Sequence, residues 1–316
     1  MTMPRPHQQP YPPRKPSALF PRKALTLFAK GFCMGASDVV PGVSGGTMAL
    51  ILGIYEELIA AIKAFDATFV RDLLQRRLKK ALGAVPFAFL ISLGLGILTA
   101  IFTLARGLSW LLVHHPIAIW SFFFGLVLAS AVVVARRIQH WLPTTFISLL
   151  LFTAGAYLLV GLVPVHTPET LPFIFLCGAI AICAMILPGI SGSFILVLLG
   201  KYQYILDAVG RFDLVVLSVF AAGTAVGITL FVRLLNWMLT HHHDLAMAAL
   251  TGLMIGSLRK IWPWKAIRHM APGNLSEPHV FVNILPDHVS TELFVAVGLA
   301  IAGGMLVLLL QRIADR

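Results

Sequence analysis

Two short stretches rich in glycine and serine, each with one proline, interrupt long apolar runs of the chain. They are residues 38–47 (DVVPGVSGGT) and 187–193 (LPGISGS). In each, the proline and glycine are expected to end one helix and a serine to start the next. A helix start leaves backbone N–H groups unpaired and carries the positive end of the helix dipole. Such starts are typical of anion sites, so we predict anion binding at the two interruptions.

The predicted functional residues fall into three groups. Those expected to bind substrate are Ser44, Gly45, Gly46, Thr47, Ser191, Gly192, Ser193, Arg106 and Arg233. Those expected to break the helices are Pro41, Gly42, Pro188 and Gly189, and Asp38 and Glu56 are the candidates for ion coupling. Ionisable residues within membrane segments are costly and usually face a cavity or a partner. The alternatives are that the serines only cap helices, the glycines only aid packing, and the arginines extend to the membrane interface.

The composition is that of a membrane protein with many spans. Of 316 residues, 58% are hydrophobic and 12% charged, and apolar runs long enough to cross a bilayer recur along the chain. The formal charge of +11 comes from residues that flank these runs, which indicates membrane topology and not nucleic-acid binding. Three scattered cysteines and the adjacent histidines at 241–243 suggest no disulfide framework and no metal site. We expect no cofactor.

The second half of the chain repeats the first. The two interruptions lie 147 positions apart, and later matches such as Arg106 with Arg233 keep a shift of 127. The 20-residue difference indicates an insertion in the first copy, and a register held this long indicates an internal repeat. The predicted organisation is a disordered cytoplasmic tail (1–23), repeat 1 (24–163, with hairpin 24–62 and basic cytoplasmic loop 63–83) and repeat 2 (164–316, with hairpin 171–209).

Each repeat is predicted to be a re-entrant helical hairpin followed by three spans, so the fold class is an all-α polytopic membrane protein. The later spans are expected at about 84–105, 116–135, 145–163, 214–234, 245–258 and 289–311. An odd number of crossings per repeat inverts the second copy, which predicts inverted-topology repeats. This topology places 15 Lys and Arg residues inside and 6 outside. Four of the outside charges form a cluster, at 259, 260, 265 and 268, that disagrees with the positive-inside rule. Fully spanning hairpins would satisfy the flanking charges equally well.

The sequence GASDVVPGVSGGT at 35–47, together with LPGISGS at 187–193, closely resembles the PopT-type polyprenyl-phosphate transporters of bacteria, long catalogued as a domain of unknown function. The resemblance covers both hairpins and most of the chain from about residue 24. It implies a flippase of the plasma membrane that returns undecaprenyl phosphate, the lipid carrier of cell-wall glycans, to the inner leaflet. The implied partners are the bilayer and the polyprenyl phosphate, with a proton or sodium ion as candidate coupling ion.

Two other functions stay open at this point. Undecaprenyl-pyrophosphate phosphatases of the BacA type are similar in having paired re-entrant motifs, but Gly192 stands where their motif has an arginine, and no histidine follows the first motif. Breaking a pyrophosphate needs charge stabilisation and a nucleophile or base, so we predict that the chain is not an enzyme. A secondary transporter of a small soluble anion would share the architecture, with a pocket closed to lipid.

Overall fold

The computed structural model describes residues 21–39, 44–65, 67–165, 167–268, 280–286, 288 and 290–314. The helices before the repeat boundary are α1 (Pro21–Asp38), α2 (Gly45–Ile51), α3 (Tyr55–Lys63), α4 (Ala67–Leu74), α5 (Leu78–Ala84), α6 (Phe87–His114), α7 (Pro116–Ala135) and α8 (Pro143–Leu159). Those after it are α9 (Leu171–Ile186), α10 (Gly192–Leu198), α11 (Tyr202–Gly210), α12 (Leu214–His241), α13 (His243–Ser257) and α14 (Thr291–Ala314). Two strands, β1 (Lys265–Arg268) and β2 (Val280–Asn283), lie between α13 and α14.

The chain is mostly helical and has the helices of a polytopic membrane protein, as predicted. In the described residues, α6, α7, α12 and α14 are long and apolar enough to cross a bilayer, and up to six crossings result if each bent helix pair is one span. Large apolar side chains on their outer surfaces are exposed, as lipid contact requires. The strands are an exception to the all-α prediction: β1 pairs with β2 in an antiparallel hairpin.

Both predicted hairpins consist of three helices and not of two straight arms. After the first interruption α2 has 7 residues, about 10 Å at 1.5 Å per residue, and α3 is bent from it by 118°. After the second, α10 and α11 are bent by 106°. Gly53 and Gly200 lie at these bends with positive φ angles of 68° and 64°, which a residue without a Cβ adopts easily. Neither short helix alone can cross the hydrocarbon of a bilayer, which is about 30 Å thick.

The C-terminal ends predicted for α6 and α12 came too early in the sequence, and the end predicted for α8 came too late. The helices α6 and α12 both have 28 residues and continue to His114 and His241, whereas the sequence placed their ends near 105 and 234. Arg106 and Arg233 therefore lie inside these helices and not at their ends. In the last turns, Trp110 stacks on His114 and Trp237 on His241, so both helices finish in the same way. The α8 helix ends at Leu159, short of the predicted 163.

The order of elements recurs, and so does their pairing. Four helix pairs run in parallel: α1–α6, α9–α12, α8–α13 and α7–α14. In each pair, two residues four apart on one helix contact two residues four apart, in the same order, on the other helix. The contacts are Gly31–Leu93 with Gly35–Ile97, Gly223–Phe175 with Gly227–Ala179, Gly252–Leu149 with Gly256–Thr153, and Gly125–Ala300 with Gly304–Ala129. Glycine at these positions lets two backbones approach closely, as in membrane helix packing. The pairs α1–α6 and α9–α12 correspond between repeats, as do α7–α14 and α13–α8.

The core lies where α2, α7 and α13 meet. Residues 45–51 of α2 are all buried, and most of α13 is buried as well. The start of α2 is therefore enclosed although it follows a polar interruption, whereas Asp38, at the end of α1, is exposed.

Candidate functional site

The first interruption carries its own acidic group. The Asp38 carboxylate accepts a hydrogen bond from the Gly45 N–H at 2.6 Å, and the Ser44 hydroxyl caps α2 by accepting from the Gly46 N–H at 3.1 Å. The Thr47 N–H donates to the Ser44 carbonyl at 2.9 Å. The first N–H groups of α2 are therefore already paired. Pro41 and Gly42 lie outside the described residues.

The first interruption touches the second through the end of α9. The Ser44 hydroxyl donates to the Leu187 carbonyl at 3.3 Å, and the Tyr55 hydroxyl donates to the Ile186 carbonyl at 3.2 Å. Gly46 packs against the same carbonyl, since a Cβ there would lie 2.7 Å from the Ile186 oxygen. Helix ends leave carbonyls without an intrahelical partner, and here the other half of the chain supplies the donors. Residues that are 143 and 131 positions apart thus join the two interruptions.

The second interruption is built differently. Gly189 has φ +86°, and a Cβ there would lie 2.6 Å from the Ser257 hydroxyl oxygen, so this turn packs on the last turn of α13. The Ser191 hydroxyl accepts from the Phe194 N–H at 3.2 Å and lies 2.7 Å from the Ser193 hydroxyl. No acceptor in the described part of the chain pairs with the N–H groups of Gly192 or Ser193.

The difference follows from the repeat register. The residue equivalent to Asp38 is Met185, which cannot accept hydrogen bonds as a carboxylate does. The Gly192 N–H, equivalent to the Gly45 N–H that Asp38 satisfies, is consequently open, and the Ser193 N–H is open because Ser191 caps Phe194. Among the residues that the structure describes at the two helix starts, only those of the second have unpaired N–H donors.

Two predicted residues are placed where they do not meet the others. Thr47 is fully buried, and its hydroxyl has no hydrogen-bond partner among the described residues, so a ligand would have to enter the core to reach it. Glu56 lies in the first turn of α3, is exposed, and has no hydrogen bond or ion pair with another described residue. Glu56 shares no hydrogen bond with Asp38, the other candidate for coupling, in the described part of the chain.

The predicted arginines lie in unequal surroundings. Both are exposed, Arg106 on α6 and Arg233 on α12, but they differ in their neighbours. Arg233 and Lys63 line a cavity of about 240 Å³ whose remaining walls are largely apolar side chains of α3 and α12. A pocket with two cations and apolar walls suits an amphiphile with an anionic head.

Several basic groups with defined roles were not predicted. Lys30 and Arg137 donate to the carbonyls of Leu52 and Leu50, both at 2.9 Å, so two cations stabilise the C-terminal end of α2. Lys201 is almost fully buried and donates to the Thr167 carbonyl at 2.7 Å. A basic residue at a helix end is a weak sequence signal, because interfacial lysines look the same.

The fold and this site define a class: a multi-pass helical membrane protein in which two interrupted helical hairpins, one from each half of the chain, meet within the helix bundle. Paired interruptions of this kind occur at the binding sites of membrane transporters.

Comparison with known proteins narrows the class. The sequence profile of the undecaprenyl phosphate translocase-like family matches residues 34–277, so the chain belongs to this family. It is 41% identical over 300 residues to a polyprenyl-phosphate transporter of Vibrio cholerae serotype O1, covering 92% of this chain and 97% of the relative. It is 32% identical over 252 residues to a polyprenyl-phosphate transporter of Staphylococcus aureus, covering 74% and 84%. No solved structure matches. The relatives are transporters, which confirms the family prediction and the prediction of a non-enzyme.

Proposed function

We propose that this protein transports polyprenyl phosphate across the plasma membrane and returns undecaprenyl phosphate from the outer to the inner leaflet. The observation that carries the proposal is the contact between the interruptions, in which Ser44 and Tyr55 bind the carbonyls of Leu187 and Ile186. Two interrupted helices that meet inside a bundle provide polar backbone at membrane depth, which is tolerated only where protein or a water-filled cavity satisfies it. The names of both relatives agree with this substrate.

Inverted-topology repeats are part of the proposal. The helices α7 and α8 follow each other across a short loop, and we take them to run in opposite directions. Because α8 packs in parallel with α13, the equivalent helices α7 and α13 then also run in opposite directions. This supports an inverted relation between the repeats, with the hairpins entering from opposite faces.

Recognition of the substrate needs a polar site for the phosphate and an apolar route for the prenyl chain. Ser191, Ser193 and the open N–H groups at the start of α10 supply donors at the second interruption. The exposed apolar faces of α6 and α12 supply a lipid-like route. The cavity lined by Arg233 and Lys63 then binds the head group near the end of its path.

Asp38 is our proposed coupling group. Its carboxylate occupies the start of α2 by accepting from Gly45, which is where a phosphate oxygen would otherwise bind. Neutralising the carboxylate, by a proton or by a sodium ion, removes the repulsion between it and a phosphate. In this mechanism the ion and the lipid phosphate alternate at the first interruption.

The function is tested in proteoliposomes with a fluorescent polyprenyl monophosphate, by measuring its transfer between leaflets. We expect transfer above that of protein-free vesicles, and about tenfold slower transfer for Ser191→Ala, because one hydrogen bond to a charged group contributes about 1.5–3 kcal/mol. Ser218→Ala is the matched control, since Ser218 is an exposed α12 serine that bonds only its own helix. Equal transfer with and without protein would disprove the function.

Coupling and chemistry need separate measurements. An imposed pH gradient or sodium gradient should change the wild-type transfer rate, and Asp38→Asn should abolish that response while leaving some transfer. If Asp38→Asn responds as the wild type does, Asp38 is not the coupling group. With a polyprenyl pyrophosphate, no phosphate release is expected, and release that Ser191→Ala removes would favour the phosphatase alternative.

A further inference from the structure

The basic residues that follow α13 contradicted the charge pattern expected of an external loop. The α13 helix has 15 residues, about 22 Å in length, against about 30 Å for bilayer hydrocarbon. The chain therefore leaves α13 before it has crossed the full thickness of the bilayer hydrocarbon. The basic segment after α13 packs on other helices. Its charges therefore do not behave as the freely hydrated loop charges on which the positive-inside rule rests.

The contacts of Lys260 place it beside the second interruption, and Lys265 is hydrogen-bonded to the backbone of Lys260. The Lys260 ammonium lies 4.4 Å from the centre of the Phe194 ring in α10, and the Lys260 N–H donates to the Ser257 carbonyl, one turn from where Gly189 packs. The Lys265 ammonium donates to the Lys260 carbonyl at 2.6 Å and lies 4.7 Å from the Trp120 ring. The two ammonium groups are thus linked through one short loop.

The two lysines carry positive charge without a matching negative charge. Both are only partly exposed, and none of the ion pairs formed by the described residues includes either of them. Each ammonium group lies over an aromatic ring, which attracts a cation without neutralising it. Holding two like charges together and away from water is unfavourable, and an anion placed between them would remove the imbalance.

We propose that Lys260, which lies over Phe194, and the linked Lys265 bind the phosphate monoester at the second interruption, together with the hydroxyls of Ser191 and Ser193. The proposal rests on the proposed function for the lipid part of the ligand; the shared chemistry is a phosphate monoester or free phosphate. At the first interruption the Asp38 carboxylate already accepts from the Gly45 N–H, so the second interruption is the better anion site. Nearby Trp262 and Trp264 extend the apolar surface along which the first units of a prenyl chain would lie.

The test uses the full-length protein in lipid nanodiscs and measures binding by the change in tryptophan fluorescence, since Trp120 lies beside Lys265. The probes are a polyprenyl monophosphate, the corresponding polyprenol and inorganic phosphate. We expect Lys260→Gln and Lys265→Gln each to weaken monophosphate binding by about tenfold or more and to leave polyprenol binding unchanged. Lys260→Arg should retain most of the affinity, because it keeps the charge.

Lys80→Gln is the matched control, since Lys80 is an exposed lysine paired with Asp72 at 3.3 Å, and it should bind like the wild type. If wild-type protein binds the monophosphate and both glutamine variants bind it equally well, the lysine site is wrong and the function stands. If the wild type shows no preference for the monophosphate over the polyprenol, the proposed function itself fails. Inorganic phosphate that binds as tightly as the lipid would show that the lysines take free phosphate, which overturns the lipid part of the proposal.

Discussion

The hydrogen bond between Tyr55 and the Ile186 carbonyl gives a sharp test of how the two halves are held together. Tyr55 is 1% exposed, and its hydroxyl lies 3.2 Å from that carbonyl, which ends α9. Hydrogen bonds inside membrane proteins contribute about 0.6 kcal/mol on average and at most about 1.7. Where the carbonyl that loses its donor stays buried, the whole cost is about 1–3 kcal/mol. We therefore expect Tyr55→Phe to lower the free energy of unfolding by about 1–2 kcal/mol.

The repeat supplies the matched control. Tyr202 is equivalent to Tyr55 but is 40% exposed and has no hydrogen bond through its hydroxyl to another described residue, so Tyr202→Phe should change stability by less than about 0.5 kcal/mol. Unfolding in mixed detergent micelles gives both values, and leaflet transfer in proteoliposomes tests the function. Tyr55→Phe should also slow leaflet transfer more than Tyr202→Phe does, because only Tyr55 bonds to the other half among the described residues. Equal effects of the two variants would refute the claim that this contact joins the halves.

Three further predictions follow from single contacts. Gly189→Ala should lower the thermal unfolding temperature, because φ +86° strains a residue with a Cβ and Ser257 stands 2.6 Å away; Gly94→Ala, with open space around it, should not. Burial and the charge of Lys260 lower the pKa of Lys265 to about 8, so monophosphate affinity should fall as pH rises through 8, and Lys265→Gln should lack this step. Arg233→Gln should slow transfer more than Arg106→Gln, since only Arg233 lines the cavity with Lys63.

The long helices and the interruptions could be predicted from sequence because their signals are local. Proline, glycine and a capping serine act within a few residues, and the structure caps α2 with Ser44 and α10 with Ser191. The bounds of α7, Pro116–Ala135, agree with the prediction, since a proline starts it and two arginines follow it. The early ends given to α6 and α12 arose because an arginine was read as a boundary, although its long side chain is compatible with a helix interior.

The contacts between the halves could not be predicted in the same way. Tyr55 and Tyr202 occupy equivalent positions, yet only Tyr55 reaches a carbonyl of the other repeat. The proposed roles of Lys260 and Lys265 were equally hidden, because their partners, Phe194 for Lys260 and Trp120 for Lys265, belong to distant segments. Packing between elements decides these features, and a sequence pattern reports only one element at a time.

The two repeats share a sequence plan but lie in different surroundings, and this difference bears on the mechanism. The α3 helix of repeat 1 packs on α12, whereas α11, its counterpart, has no comparable contact with α6 in the described part of the chain. In a transporter with two equivalent halves, exchanging these two arrangements would close one side and open the other. The basic groups are fixed at separate places: Lys260 and Lys265 beside the second interruption, and Lys63 and Arg233 beside α3. On our proposal, a phosphate that leaves Lys260 and Lys265 next binds Lys63 and Arg233. The charged head group therefore crosses the membrane without being left unpaired.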